Sequence, residues 1–185
     1  MSTALLVIDI QNDYFPEGKM ELVAPERAAS RAAALIATFR ERGLPIFHVQ
    51  HLAARPTATF FLPGTAGAEI HESVKPLRGE TVVTKHYPSA FRETTLLNDL
   101  RTANVKDLVV AGMMTHMCVD TTVRAAVDLG FSCSLAHDAC ATRALTFGGS
   151  TVGADAVQIS YLAAISGTFA QVLSASELCA RHATT

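Results

Sequence analysis

The stretch Leu108-Val-Val-Ala-Gly-Met-Met-Thr-His-Met-Cys118 joins two periodicities, and the fold is read from the place where they meet. Residues 107–111 form an apolar run too short for a helix, as in a strand covered on both faces. The run stops at Gly112. From Val119 the apolar positions Val119, Val123, Ala126 and Val127 recur at helical spacing as far as Gly130, so a helix begins at or beside Cys118. The pattern thus predicts a thiol in or next to the first turn of a helix, where free amide N–H groups and the positive dipole end favour thiolate over thiol.

The same alternation extends in both directions. Residues 4–10 are a second short apolar run, strand one, with Asp9 at its end. A helix follows Pro25, carries Ala28, Ala32, Leu35, Ile36 and Phe39 on one face, and stops at Gly43. Residues 45–50 read as strand two, 81–84 as strand three with Lys85 just beyond it, 107–111 as strand four, 131–136 as strand five and 168–173 as strand six before a short C-terminal tail. Helices are expected around 94–102, over 118–130 and over 154–166. Residues 52–79 lack periodicity and contain Pro56, Pro63, Gly64, Gly67, Pro76 and Gly79, so they form a long loop expected to supply part of a pocket.

Strands alternating with helices imply right-handed crossovers and an α/β, three-layer, doubly wound parallel sheet with helices on both faces. For six strands the expected order is 3-2-1-4-5-6, in one domain over residues 1–185. Strands one and four are then neighbours at the switch point, and Asp9 and Cys118 flank one crevice at the carboxyl edge. Lys85 starts two strands from Asp9, and its long side chain has to close that gap.

Composition narrows the function. The chain has 185 residues, 49% of them apolar, enough for a sizeable core. A net charge of −2, no basic stripe, no Trp and three Tyr speak against nucleic acid and anionic membranes as partners and leave a small-molecule substrate. The first residues have no basic region before their short apolar run, unlike a signal or membrane helix, so the cytoplasm is the expected location. The four cysteines, 118, 133, 140 and 179, make no Cys-x-x-Cys pair, which implies neither a disulfide frame nor a zinc knuckle. The turn Gln11-Asn-Asp-Tyr-Phe-Pro16 lacks the Gly-x-Gly-x-x-Gly pattern that lets backbone approach a pyrophosphate, against a nucleotide-binding module.

Five segments together resemble one family nearly end to end: Leu6-Val-Ile-Asp9-Ile-Gln11-Asn-Asp13, Pro63-Gly-Thr65, Val83-Thr-Lys85-His-Tyr-Pro-Ser-Ala-Phe91 with Thr94, Gly112-Met-Met-Thr-His-Met-Cys118-Val with Thr122 and Ala125, and Gly167-Thr-Phe-Ala170. Each alone is common; the set resembles the isochorismatase-like cysteine hydrolases, in their amidohydrolase branch. The resemblance implies that Asp9, Lys85 and Cys118 are catalytic, that the fold is the sheet argued above, that the Met113–Met114 peptide is cis, and that many relatives work as homo-oligomers. It implies no cofactor.

The three residues suit C–N hydrolysis. A thiolate at Cys118 attacks an amide or ureido carbonyl and divides hydrolysis into acylation and deacylation. Asp9 accepts the thiol proton and returns it to the departing amine, provided burial raises its pKa. Lys85 balances the two anions, and the backbone N–H groups of Met114 and Cys118 are expected to hold the oxyanion. Gln11, Phe15, Tyr87 and Met113 are expected around the substrate, although Gln11 could instead cap the turn, and Phe60 and Phe61 could join Phe15 and Tyr87 in an apolar wall or pack the core.

A metal is not expected. The nicotinamidase branch of the family carries an Asp-x-His pair and a further His after strand two, whereas this chain reads Phe47-His-Val-Gln-His51. The carboxylate is missing, and His48 and His51, three apart on an extended strand, point to opposite faces. Enol-ether hydrolysis of isochorismate and a nonenzymatic thiol redox role remain as alternatives.

Overall fold

The computed structural model describes residues 2–182. Six strands form one parallel sheet in the order β3-β2-β1-β4-β5-β8. They are β1 (Ser2–Ile8), β2 (Ile46–His51), β3 (Thr81–Lys85), β4 (Val105–Met113), β5 (Ser132–Ala141) and β8 (Gln171–Leu173). The expected 3-2-1-4-5-6 order is therefore the observed one, with the sixth sheet strand being the eighth in the chain. Between β5 and β8 lies an antiparallel hairpin, β6 (Leu145–Phe147) and β7 (Ser150–Val152), outside the main sheet.

The sheet is apolar on both faces because its central strands alternate between two cores. In β1, Leu5 and Val7 enter one core while Ala4, Leu6 and Ile8 enter the other; in β4, Val109, Ala111 and Met113 oppose Leu108 and Val110. The first core is closed by α1 (Pro25–Glu41) and α5 (Ala175–His182) through Ala28, Ala32, Leu35, Phe39 and Leu178. The second is closed by α2 (Leu96–Thr102), α3 (Asp120–Asp128) and α4 (Ala154–Ile165) through Leu96, Leu100, Val123, Ala126 and Ile165. Pro25 opens α1, where its missing N–H is harmless, and Gly43 follows its end at φ 61°.

Three expectations need correction. The C-terminal tail is a helix, α5. Strand five runs on to Ala141, because Cys140 and Ala141 pair with Gly112 and Met113 of β4 beyond an irregularity in the register. The helix expected from Cys118 starts at Asp120: a π-helical turn, Thr115–Val119, separates β4 from α3, and Cys118 lies in that turn, next to the first turn of the α-helix. Among the described residues no helix is long and apolar enough to cross a membrane.

Candidate active site

The site grows from the carboxyl ends of the central strands. Asp9 is the first residue past β1; it has φ 50° and its N–H donates to Val49 O at 3.0 Å. Ile8 is aligned with Gly112 of β4, whose φ is 146°. A Cβ at position 112 would lie 2.2 Å from the Ile8 carbonyl oxygen, so only glycine permits the close approach of the two strand ends. Beyond Gly112 the Met113–Met114 bond is cis, as the resemblance implies. The following turn sets Cys118, 4% exposed, against the end of β1.

Lys85 ends β3, and its Cα partner on β2 is His51. Its side chain passes over the end of β2 and closes the gap to Asp9. The Nζ atom lies 2.7 Å from Asp9 Oδ2 and donates to His51 Nδ1 at 2.8 Å, Tyr87 O at 3.1 Å and Cys118 Sγ at 3.3 Å. The Asp9 contact is the shortest of the four, a charge-assisted pair between ammonium and carboxylate, and no backbone N–H donates to either Asp9 oxygen among the described residues. Asp9 and Lys85 are both fully buried.

Protonation follows from burial first. Burial raises Asp9 above its ordinary value, against the pull of the Lys85 ammonium. Burial also pushes the Cys118 thiol up, the Asp9 charge adds to this, and Lys85 only opposes it. Burial alone would lower Lys85, yet Asp9 and Cys118 together hold it above its ordinary value. At Cys118, loss of solvent thus works against the thiolate that the helix terminus and Lys85 favour, and it is the largest of these effects. His51 is held down to about 3 by burial, then by Lys85 and His86. It is neutral, and since Nδ1 accepts from Lys85, its proton sits on Nε2.

In front of Cys118 opens a cavity of about 470 Å³. The loop over residues 52–79 supplies much of its wall, including Phe60 and Phe61, and Tyr87, Met114 and Met117 supply more. Three expected pocket residues are elsewhere. Gln11 is fully buried and braces the backbone, donating to His51 O and Ala68 O and accepting from His51 N. Phe15 stacks on His71 at 3.7 Å between ring centroids, and Met113 alternates into the α1 core. His116 turns toward Thr142. Among the cavity residues with no place in the sequence reading of the pocket are His51 and Arg143. The register of β2 with β3 would have delivered the first; Arg143 gave no signal.

The histidines do not fit a metal. His48 Nε2 bonds Glu80, His71 Nδ1 bonds Ser73 and His86 Nδ1 bonds Leu52 O. One set with ligating geometry exists among the described residues, Asp9, His51 and Cys118, with atoms within 4.8 Å of one another. The Lys85 ammonium touches all three, so the protein's own cation fills the place an ion would take.

The isochorismatase domain family matches residues 3–174. The uncharacterized isochorismatase family protein YddQ of Bacillus subtilis is 54% identical over 172 residues, covering 93% of this chain and 96% of its own. The crystal structure of an isochorismatase-type chain from Oleispira antarctica superposes with a TM-score of 0.93 at 50% identity, covering 97% of this chain and 96% of that one. Nicotinamidase 3 of Arabidopsis thaliana is 32% identical, covering 75% of this chain and 73% of its own.

Proposed function

The chain belongs to the isochorismatase family of hydrolases, and from that premise we propose that it cleaves a C–N bond, amide or ureido, of a small molecule through a thioacyl-enzyme. The observation that carries this reading is a buried thiol within reach of a fully buried carboxylate, with one ammonium touching both. A carboxylate raised by burial can accept a proton and later release it.

The thiol proton moves to Asp9 as Sγ attacks the carbonyl carbon and the carbonyl π electrons move to oxygen. The oxyanion is held by the N–H groups of Met114 and Cys118. When the tetrahedral intermediate collapses, the C–N bond breaks and Asp9 gives its proton to the nitrogen. Water, deprotonated by Asp9, then attacks the thioester, and the thiol leaves with that proton. Lys85 stays charged throughout and compensates whichever of Asp9 and Cys118 is the anion. No step draws on a metal. A reducing compartment such as the cytoplasm suits the four free thiols.

Ammonia release tests the reading, across nicotinamide, biuret, N-carbamoyl amino acids, oxamate and simple aliphatic amides. At least one compound is expected to release ammonia with wild type and none with Cys118→Ala. Cleavage of isochorismate by both proteins at equal rates would instead establish enol-ether chemistry, for which the thiol is dispensable.

A further inference from the structure

The cavity in front of Cys118 is lined by two arginines and by no carboxylate. Arg55 stands on the exposed part of the 52–79 loop, while Arg143 follows the end of β5. Arg143 is left largely unused by the protein. Its Nη1 donates to the neighbouring Ala144 carbonyl at 3.1 Å, its Nε is buried with no acceptor, and no acid pairs with it among the described residues. Arg40, by contrast, sends Nε and Nη2 to the two oxygens of Glu80 at 2.7 and 2.9 Å. A buried N–H without an acceptor is costly, and a native chain seldom keeps one that nothing fills.

Apart from Arg55 at the rim, the other charges of the site are matched, since Lys85 is paired with Asp9 and His51 is neutral. The Arg143 charge is thus left for a ligand. A guanidinium is a planar fork of donors, and the small acceptor that fits it with two parallel bonds is a carboxylate. Phe60, Phe61, Met114 and Met117 give the same cavity an apolar wall, and its volume suits a small molecule.

We propose that Arg143 anchors a carboxylate of the substrate, so that the molecule presented to Cys118 is a small amide or ureido acid, anionic at neutral pH. The assignment of the bound acid as the cleaved substrate rests on the hydrolase reading; the carboxylate site itself does not. Arg55, at the exposed rim, adds attraction for the same anion as it enters.

Calorimetric titration of the resting protein separates charge from shape by comparing benzoate with nitrobenzene, which has nearly the same outline and no charge. Wild type is expected to bind benzoate at least tenfold more tightly. In Arg143→Gln that preference should fall at least tenfold, and Arg143→Lys, which keeps the charge and loses the fork, should fall between the two. Equal binding of both compounds by wild type, a comparison that needs no variant, would overturn the proposal, as would a preference that survives in a folded Arg143→Gln protein. Benzoate bound through Arg143 with no ammonia from any amide acid would support the carboxylate site and remove the hydrolase reading. Ammonia from neutral amides and their acid counterparts at equal kcat/KM would remove the anchor and leave the hydrolase reading intact.

Discussion

Glu80 and Asp9 are both carboxylates drawn against β2, and they are held in opposite ways. Glu80 accepts from Arg40 Nε and Nη2, from the Leu77 N–H and from His48 Nε2. Filled with donors, it is lowered to about 2, chiefly by Arg40. Asp9 has one charged donor beside it, the Lys85 ammonium at 2.7 Å, and no backbone donor, and burial raises it. One strand serves both, sending His48 to Glu80 and His51, three residues on, to the Asp9 group. A carboxylate saturated with donors is fixed as an anion and holds structure together; one that is buried with a single ammonium against it can exchange a proton.

The sharpest way to break this contrast is at the thiol. Cys118→Ser should lower kcat about a thousandfold or more, since a hydroxyl is far harder to ionise, with the melting temperature unchanged. Full turnover in a folded Cys118→Ser protein would remove the chemistry from this cluster. Asp9→Asn should lower kcat on the order of a hundredfold or more. The same change removes a charge that raises the Cys118 thiol and leaves Lys85 to lower it, so iodoacetamide should label Cys118 faster in Asp9→Asn than in wild type. If labelling slows together with turnover, Asp9 is not the group that sets the state of the thiol.

At the saturated end the consequence moves from rate to stability. Glu80→Ala strands Arg40, His48 and the Leu77 N–H, and should cost about 1–3 kcal/mol in urea unfolding while kcat stays within about twofold. An equal loss of activity would mean that the two clusters are coupled through β2.

Acid titration gives the smallest and most diagnostic effect, because the signs differ. Glu80 is lowered in the fold from 4.5 to about 2, so its contribution is complete above the unfolded value and is lost as pH falls from about 4.5 toward 2. His51 is lowered from 6.5 to about 3, so the unfolded chain binds a proton that the folded one refuses, and stability is lost as pH falls from about 6.5 toward 3. Asp9 is raised above 3.8, so its contribution is present below that value and is lost as pH rises through its folded pKa. Melting curves across pH should therefore be less acid-sensitive for Glu80→Gln and His51→Gln than for wild type. Asp9→Asn should gain stability relative to wild type as pH rises above about 4.

Strand ends were readable because periodicity marks where a buried run stops, and the observed sheet order puts Asp9, Lys85 and Cys118 at one edge from that information alone. Side-chain direction was less readable. Met113 adjoins the site in sequence yet alternates into the α1 core, and Gln11 follows Asp9 yet spends its amide on backbone. The upward push of burial on the thiol was not readable, because a helix terminus is visible in sequence and depth of burial is not. His51 was weighed only as a metal ligand; its position against Lys85 depends on which residues of β2 and β3 align. The hairpin did leave a signal, Gly148-Gly149 between two short runs, which is the turn composition a two-residue hairpin requires.

The lysine that crosses β2 has one more consequence, for the order in which the molecule is made. Lys85 reaches back 34 residues to His51 and forward 33 to Cys118, so the polar cluster cannot form within any single hairpin or βα unit. It exists only when four neighbouring strands, β3-β2-β1-β4, are already in register. Recovery of turnover during renaturation therefore reports completion of that half of the sheet. The β6–β7 hairpin lies outside it, and a cut or insertion at Gly148-Gly149 is a change that such an assay should pass over.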